Sequence, residues 1–362
     1  MTFRPFAQLV LGLVLCISGP GHAQGLDAVK ACFVYSGPIG DGGWTYQHHR
    51  GAQAAKAALG ERVTIEWQEN VSDAETAELV MEQMVASGCD IIFTTAPDLL
   101  DATNTAAGTH PQVKFENATG DRRAHPNVST YNARVYEGRA VQGMLAGRMT
   151  RTNRIGYIAS VPVPEVIAGI NAYYLGARRV NPNTELTVVW ANTRFDPAIE
   201  ARAAETLIAT GVDVIVQHTD STAPLEVAMR YGGAIIGFGQ GSDMGNFAPS
   251  PRISSVINNW GPYYFRRISA LLDGSYAQTD AWDGIASGVV LIGRISEEVP
   301  PLIKAEAETT LEAISSGTLH PFTGPLKRQD GSVWLGLGST ASDADIRAMD
   351  FYVEGISAVL PQ

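Results

Sequence analysis

From residue 29 onward the chain alternates short apolar runs with stretches of helical periodicity, and it does so in two successive series. The first series reads as strand 30–35, helix 47–59, strand 63–68, helix 72–86, strand 90–95, helix 99–109 and strands 113–117 and 128–133. The second reads as helix 137–149, strand 154–160, helix 166–179, strand 186–192, helix 197–210, strand 212–218, helix 223–231 and strand 234–239. Strands joined through helices must cross over, so each series predicts a parallel sheet with helices on both faces. The expected fold class is α/β, with two doubly wound parallel-sheet lobes. A chain of 362 residues exceeds what one hydrophobic core usually spans, which agrees with two lobes.

Beyond residue 250 the order changes. A strand at 252–258, an aromatic-rich helix at 262–272, a strand at 287–292 and a helix at 300–315 follow. Residues 322–334 read as a hairpin-like excursion around Gln329-Asp330-Gly331, and 343–353 as a last helix. A C-terminal portion that completes both lobes must pass between them, giving hinge strands. The expected division is 25–137 plus 257–285 for the first lobe and 138–256 plus 286–362 for the second. That layout suits capture of a ligand between lobes that close on each other.

Residues 1–23 read as an export signal. Arg4 supplies the positive start, Phe6 to Ser18 an apolar stretch too short to span a bilayer, and Gly21-His22-Ala23 the cleavage site. Cys16 follows Leu13-Val14-Leu15, whereas a lipoprotein site wants a small residue before its cysteine. A free periplasmic protein without a lipid anchor is therefore expected. The other two cysteines, Cys32 and Cys89, begin strands that a 2-1-3 order makes neighbours. A disulfide and two buried thiols both fit that placement. A net charge of −11 leaves no basic footprint for nucleic acid.

Polar and aromatic residues gather at the carboxyl ends of the strands, where ligands bind in open α/β sheets. The first such end is Ser36-Gly-Pro-Ile-Gly-Asp41-Gly-Gly-Trp44-Thr-Tyr46, a glycine-rich strand-to-helix turn carrying one acid and two aromatics. Its counterpart in the second series is Trp190-Ala-Asn192-Thr-Arg-Phe195-Asp196-Pro197, in which Asp196 reads as a helix N-cap before a proline. Trp44 and Phe195, from opposite lobes, are expected to sandwich a flat ring, each stack being worth about 1–3 kcal/mol. Asp220 reads either as an N-cap or as a ligand contact, and Asp243, with no helix after it, as a polar reader. A carboxylate accepts only, so it suits the N–H groups of guanine or hypoxanthine, or a ribose diol. The mixed edge of adenine is matched better by an amide such as Asn192 or Asn258.

Enzyme signatures are missing. Gly37 to Gly43 lacks the G-x-G-x-x-G spacing, and there is no phosphate-loop lysine pattern and no G-x-S-x-G elbow. His48-His49 diverge by about 100° on a helix, a poor arrangement for a metal. No catalytic residue, metal or cofactor is expected.

The motifs together resemble the basic membrane protein family, the purine-binding branch of the ABC-transporter substrate-binding proteins. The resemblance rests on Gly40-Asp41-Gly-Gly-Trp44-Thr-Tyr46, Tyr136-Glu137-Gly138 with Gly143 and Gly147, Phe195-Asp196-Pro197, Gly239 to Asp243, and Trp282-Asp-Gly284. It implies the type I periplasmic binding protein fold and a monomer that delivers a small molecule to a membrane permease. It also implies purine stacking by Trp44 and Phe195, with Asp41 and Asp243 as hydrogen-bonding acids and Tyr46, Trp190 and Asp220 nearby. Two features depart from the family. The returning strand reads Val256-Ile-Asn258-Asn259-Trp260 where the family often has a ribose-contacting lysine, and Thr119 stands where nucleoside binders carry an acid. Both departures favour a free base such as adenine over a nucleoside. A sugar or other polar metabolite, or a sensor role toward a membrane receptor, is the alternative.

Overall fold

The structure is a computed structural model and describes residues 25–361 apart from 246, 249 and 251. The segment read as an export signal, with Cys16, lies outside the described residues.

The first lobe opens with β1 (Val29–Val34), α1 (Trp44–Leu59), β2 (Val63–Gln68), α2 (Ala74–Ala86), β3 (Ile91–Thr94), α3 (Leu100–Thr109), β4 (Lys114–Ala118) and β5 (Val128–Ala133). The second runs through α4 (Val135–Met149), β6 (Arg154–Ala159), α5 (Pro164–Val180), β7 (Glu185–Trp190), α6 (Pro197–Ala209), β8 (Val214–His218), α7 (Ala223–Met229), β9 (Ile236–Gly241) and β10 (Arg252–Asn258). The chain then returns as α8 (Gly261–Asp273) and β11 (Asp280–Asp283), and crosses back as β12 (Val290–Ile292) and α9 (Pro301–Ser315). A short hairpin of β13 (Leu326–Lys327) and β14 (Val333–Leu335), then α10 (Asp343–Arg347), complete the described chain.

The sheet orders are β2-β1-β3-β4-β5-β11 and β7-β6-β8-β9-β10-β12. The first is parallel throughout, and in the second β12 alone is antiparallel. β1 and β8 are buried along almost their whole length, because helices cover both faces; β1 is apolar apart from Lys30, and β8 is apolar over residues 214–216 before Gln217 and His218. Two α/β lobes are thus the observed architecture. Cys32, in β1, and Cys89, just before β3, form a disulfide with Cα atoms 6.0 Å apart.

Two glycines bring α4 against α5 backbone to backbone. A Cβ on Gly143 would lie 1.9 Å from the Tyr173 carbonyl oxygen, and one on Gly176 would lie 2.1 Å from that of Ala140. The returning helix α8 is tied to the first sheet through Glu116 of β4. That buried carboxylate accepts from Tyr263 (2.6 Å), Arg267 (2.6 Å) and Tyr276 (2.7 Å).

Three local readings differ from the structure. α1 starts at Trp44 rather than 47, because Asp41 accepts the N–H groups of Gly43, Thr45 and Tyr46 and so caps an earlier first turn. β11 is an unforeseen edge strand, four half-exposed residues with no apolar run. The last helix ends at Arg347 instead of 353. Met349, Tyr352 and Val353 instead enter the second lobe's core as irregular backbone, bonded to Asn171 of α5.

Candidate functional site

The carboxyl ends of the two sheets face each other and touch. Ser242 donates to the Gly42 carbonyl at 2.5 Å, the Trp44 N–H to Asp220 at 3.2 Å, and Arg194 to Asp98 at 2.8 Å. Glycines permit this approach. A Cβ on Gly43 would lie 2.7 Å from the Asp220 side chain, and Gly241 (φ +77°) runs against Gly43 itself. The cleft is closed in this form.

The first lobe lines it with rings. Trp44 anchors its indole N–H on the Thr95 carbonyl at 2.7 Å, the end of β3. It meets Trp260 edge-on at 5.5 Å and His48 at 4.6 Å, and Trp260 stacks on His48 at 4.8 Å with an 8° interplanar angle. His48 is buried and bonded through Nδ1 to Tyr264, and burial drives its pKa well below the usual histidine value, so it is neutral. Tyr46 reaches across the cleft to Phe247 at 5.4 Å.

The sequence candidates divide. Trp44 meets Asp220 and Trp260 at the closed edge, and Asn258 ends β10 beside Gln240. Asp41 is buried, and both its oxygens are taken by its own turn. Burial raises its pKa against those three N–H donors and the Thr45 hydroxyl. Asp220 does not cap α7. Its carboxylate crosses to the first turn of α1, and its pKa is raised well above the usual range by burial, then by Asp41 and Glu200. Asp243 lies 3.4 Å from Arg252, with Gly293 beside it. The loop after β9 folds back along β10, where Ser255 holds the Asp243 carbonyl at 2.8 Å. Trp190 packs under the C-terminal segment and donates to the Tyr352 hydroxyl at 3.1 Å. Thr119 adopts a left-handed turn (φ 60°) and spends its hydroxyl on the Ala118 carbonyl. Asn192 is an exposed left-handed residue (φ 54°). Phe195 is 38 % exposed and pairs with no ring among the described residues; the ring neighbours of Trp44 are His48 and Trp260. Asp196 caps α6 as read, accepting from Ala198 and Ile199.

Reasoning from sequence overlooked Arg139 and Gln240 and undervalued Glu165. Arg139 is fully buried in α4 and bonds Gln142, the Gln217 carbonyl and Gln240, all neutral acceptors. Burial lowers its pKa. An arginine set between Gly138 and Ala140, within the small-residue run of α4, is the signal that marks it. Glu165 starts α5 and faces Asn132 of β5 across the cleft at 3.5 Å, and burial pushes its pKa up to about 7. Several buried polar atoms have no partner among the described residues: Asn258 Nδ2, Trp260 Nε1, His48 Nε2 and Thr219 Oγ1. Such groups are costly unless something fills their valence.

A family model, described as ABC transporter substrate-binding protein PnrA-like, matches residues 28–320. The chain belongs to the Bmp family. Similarity extends over nearly the whole Bmp chain. It is 46% identical over 346 residues to the purine-binding protein BAB2_0673 of Brucella abortus, covering 96% of this chain and 97% of that one. It is 32% identical over 350 residues to the putative ABC transporter glucose-binding protein TsgA13 of Haloferax volcanii, covering 97% and 85%. Among solved structures, a solute-binding protein from Conexibacter woesei superposes with a TM-score of 0.67 at 21% identity, covering 81% of this chain and 98% of that one. That likeness concerns the fold. No described helix is long and apolar enough to cross a membrane.

Proposed function

We propose that this Bmp-family protein captures a purine base or nucleoside between its lobes and hands it to an ABC permease, performing no chemistry on it. The ligand is held between residues 25–137 plus 257–285 and residues 138–256 plus 286–362, in an exported, periplasmic monomer. The observation that carries the reading is the closed cleft itself. Indole and imidazole rings at Trp44, Trp260 and His48 adjoin buried polar atoms that have no partner within the described chain. A flat heterocycle with polar edges satisfies both kinds of surface at once. The 46% identity to a purine-binding protein supports the same ligand class. Trp44 and Asn258 serve as the first contacts, and Phe195, Asn192 and Thr119 remain proposed rim contacts reached when ligand is seated. Asp41 braces its turn, and Asp220 latches the lobes.

The test is calorimetry on protein stripped of carried-over ligand by unfolding and refolding, with purine bases, nucleosides and glucose as titrants. Tight binding of a purine, weakened at least tenfold by Trp44→Ala (about 1.4 kcal/mol), is the expected result. Binding of glucose with no response to any purine refutes it. The name of the haloarchaeal relative makes glucose the pertinent competitor.

A further inference from the structure

We infer that the buried Arg139 orients Asn258, through Gln240, as a hydrogen-bond donor into the cleft, so that the site prefers a 6-oxopurine to adenine. The inference rests on the purine reading and sharpens it. A guanidinium can only donate. Its Nη2 lies 2.5 Å from Gln240 Oε1, so the Gln240 oxygen must face Arg139 and its amino group must face the other way. That amino group lies 3.5 Å from Asn258 Oδ1. The Asn258 oxygen is thereby engaged, and Nδ2 is left without a partner although the residue is fully buried. An amide's two ends are alike in shape, and here the donor-only Arg139 at the head of the series decides which end is which. Arg139 is itself held in place by Gln142 at 2.9 Å and the Gln217 carbonyl at 2.9 Å.

Asn258 ends β10 at the cleft edge. Two residues on, the indole Nε1 of Trp260, also a donor only, is buried and unpartnered. Asn258 Nδ2 and Trp260 Nε1 are thus two unpartnered donors close in sequence at the end of β10. The O6/N7 edge of a 6-oxopurine carries two adjacent acceptors, whereas adenine carries one acceptor and the N6 amino donor. The sequence alone leaves Asn258 free to match adenine with both ends of its amide; the tertiary contacts leave it one.

Hypoxanthine and adenine, titrated into ligand-stripped protein, provide the test. The parent is expected to bind hypoxanthine at least tenfold more tightly, since a site built around such donors discriminates against a ligand that leaves them unmatched. Gln240→Glu replaces the relay's amide with an acceptor that takes both Arg139 and Asn258 Nδ2. Asn258 Oδ1 then faces the cleft, and the preference moves at least tenfold toward adenine. Asn258→Asp places an acceptor there directly and shifts the ratio the same way, so the test survives if one variant fails to fold. Both variants are checked by circular dichroism melts. An adenine preference in the parent, or a ratio unmoved within threefold in the folded variants, overturns the relay and leaves the purine reading intact. Binding by the parent of neither base, nor of inosine or adenosine, overturns both.

Discussion

Closing the cleft buries carboxyl groups that solvent hydrates when it is open, so ligand capture is expected to take up protons. Two groups carry the effect. Glu165 faces Asn132 across the cleft, and burial pushes it up to about 7 against the pull of Asn132, Arg194 and Arg139. Asp220 meets the first turn of α1. Its carboxyl is raised by burial, by Asp41 and by Glu200, with the Trp44 N–H and Arg194 opposing. In the open form both return toward the ordinary carboxylate range, about 4. For Glu165 the closed form thus binds more protons than the open one between about pH 4 and 7, and Asp220 adds uptake in the same direction. Closure is favoured as pH falls through that window, and the gain is complete below it. Each proton taken up changes Kd by about tenfold per pH unit, so the two groups together set a ceiling of about a hundredfold per unit. The assay is calorimetry at pH 5.5, 6.5 and 7.5 in buffers of different protonation enthalpy, with a ligand that does not titrate there. Net proton uptake on binding is expected, larger at pH 5.5 than at 7.5 and reduced by Glu165→Gln and by Asp220→Asn. Uptake of zero throughout, or tighter binding at higher pH, refutes the reasoning.

Two further outcomes concern stability. Reducing the Cys32–Cys89 bond, which closes a separation of 57 residues, should cost about 4 kcal/mol by chain entropy, read from urea unfolding with and without reductant. Gly143→Ala forces α4 off α5, since its Cβ has no room beside the Tyr173 carbonyl. A loss of about 1–3 kcal/mol should appear as a lowered melting temperature.

The two lobes were legible because strands buried on both faces carry apolar runs, as β1 does apart from Lys30 and β8 does over residues 214–216. β11 escaped notice because half-exposed edge residues need no such run. The last helix was read too long because Tyr352 and Val353 are apolar for another reason: they enter the second lobe's core without helical geometry. Trp44 stands out in the sequence by its glycine-rich turn, and the structure sets it against Trp260 and His48. The sequence shows Asp243 with no partner; the loop that folds back along β10 brings Arg252 to within 3.4 Å of it. Asp220 was ambiguous in sequence, where a cap and a latch look alike; it became a latch once α1 arrived from the other lobe.

The sequence by itself determined the two α/β lobes, the carboxyl-edge cleft and the family, since periodicity and turn chemistry act over a few residues and are written locally. Only the tertiary structure decided which polar atoms are left unpaired at the closed edge. Each polar atom has a limited hydrogen-bonding capacity, and whether Asp243 or Asn258 has a valence to spare depends on donors and acceptors contributed by other segments. Arg139, 119 positions before Asn258, is the clearest case: its contact with Gln240 determines which end of a remote amide a ligand meets.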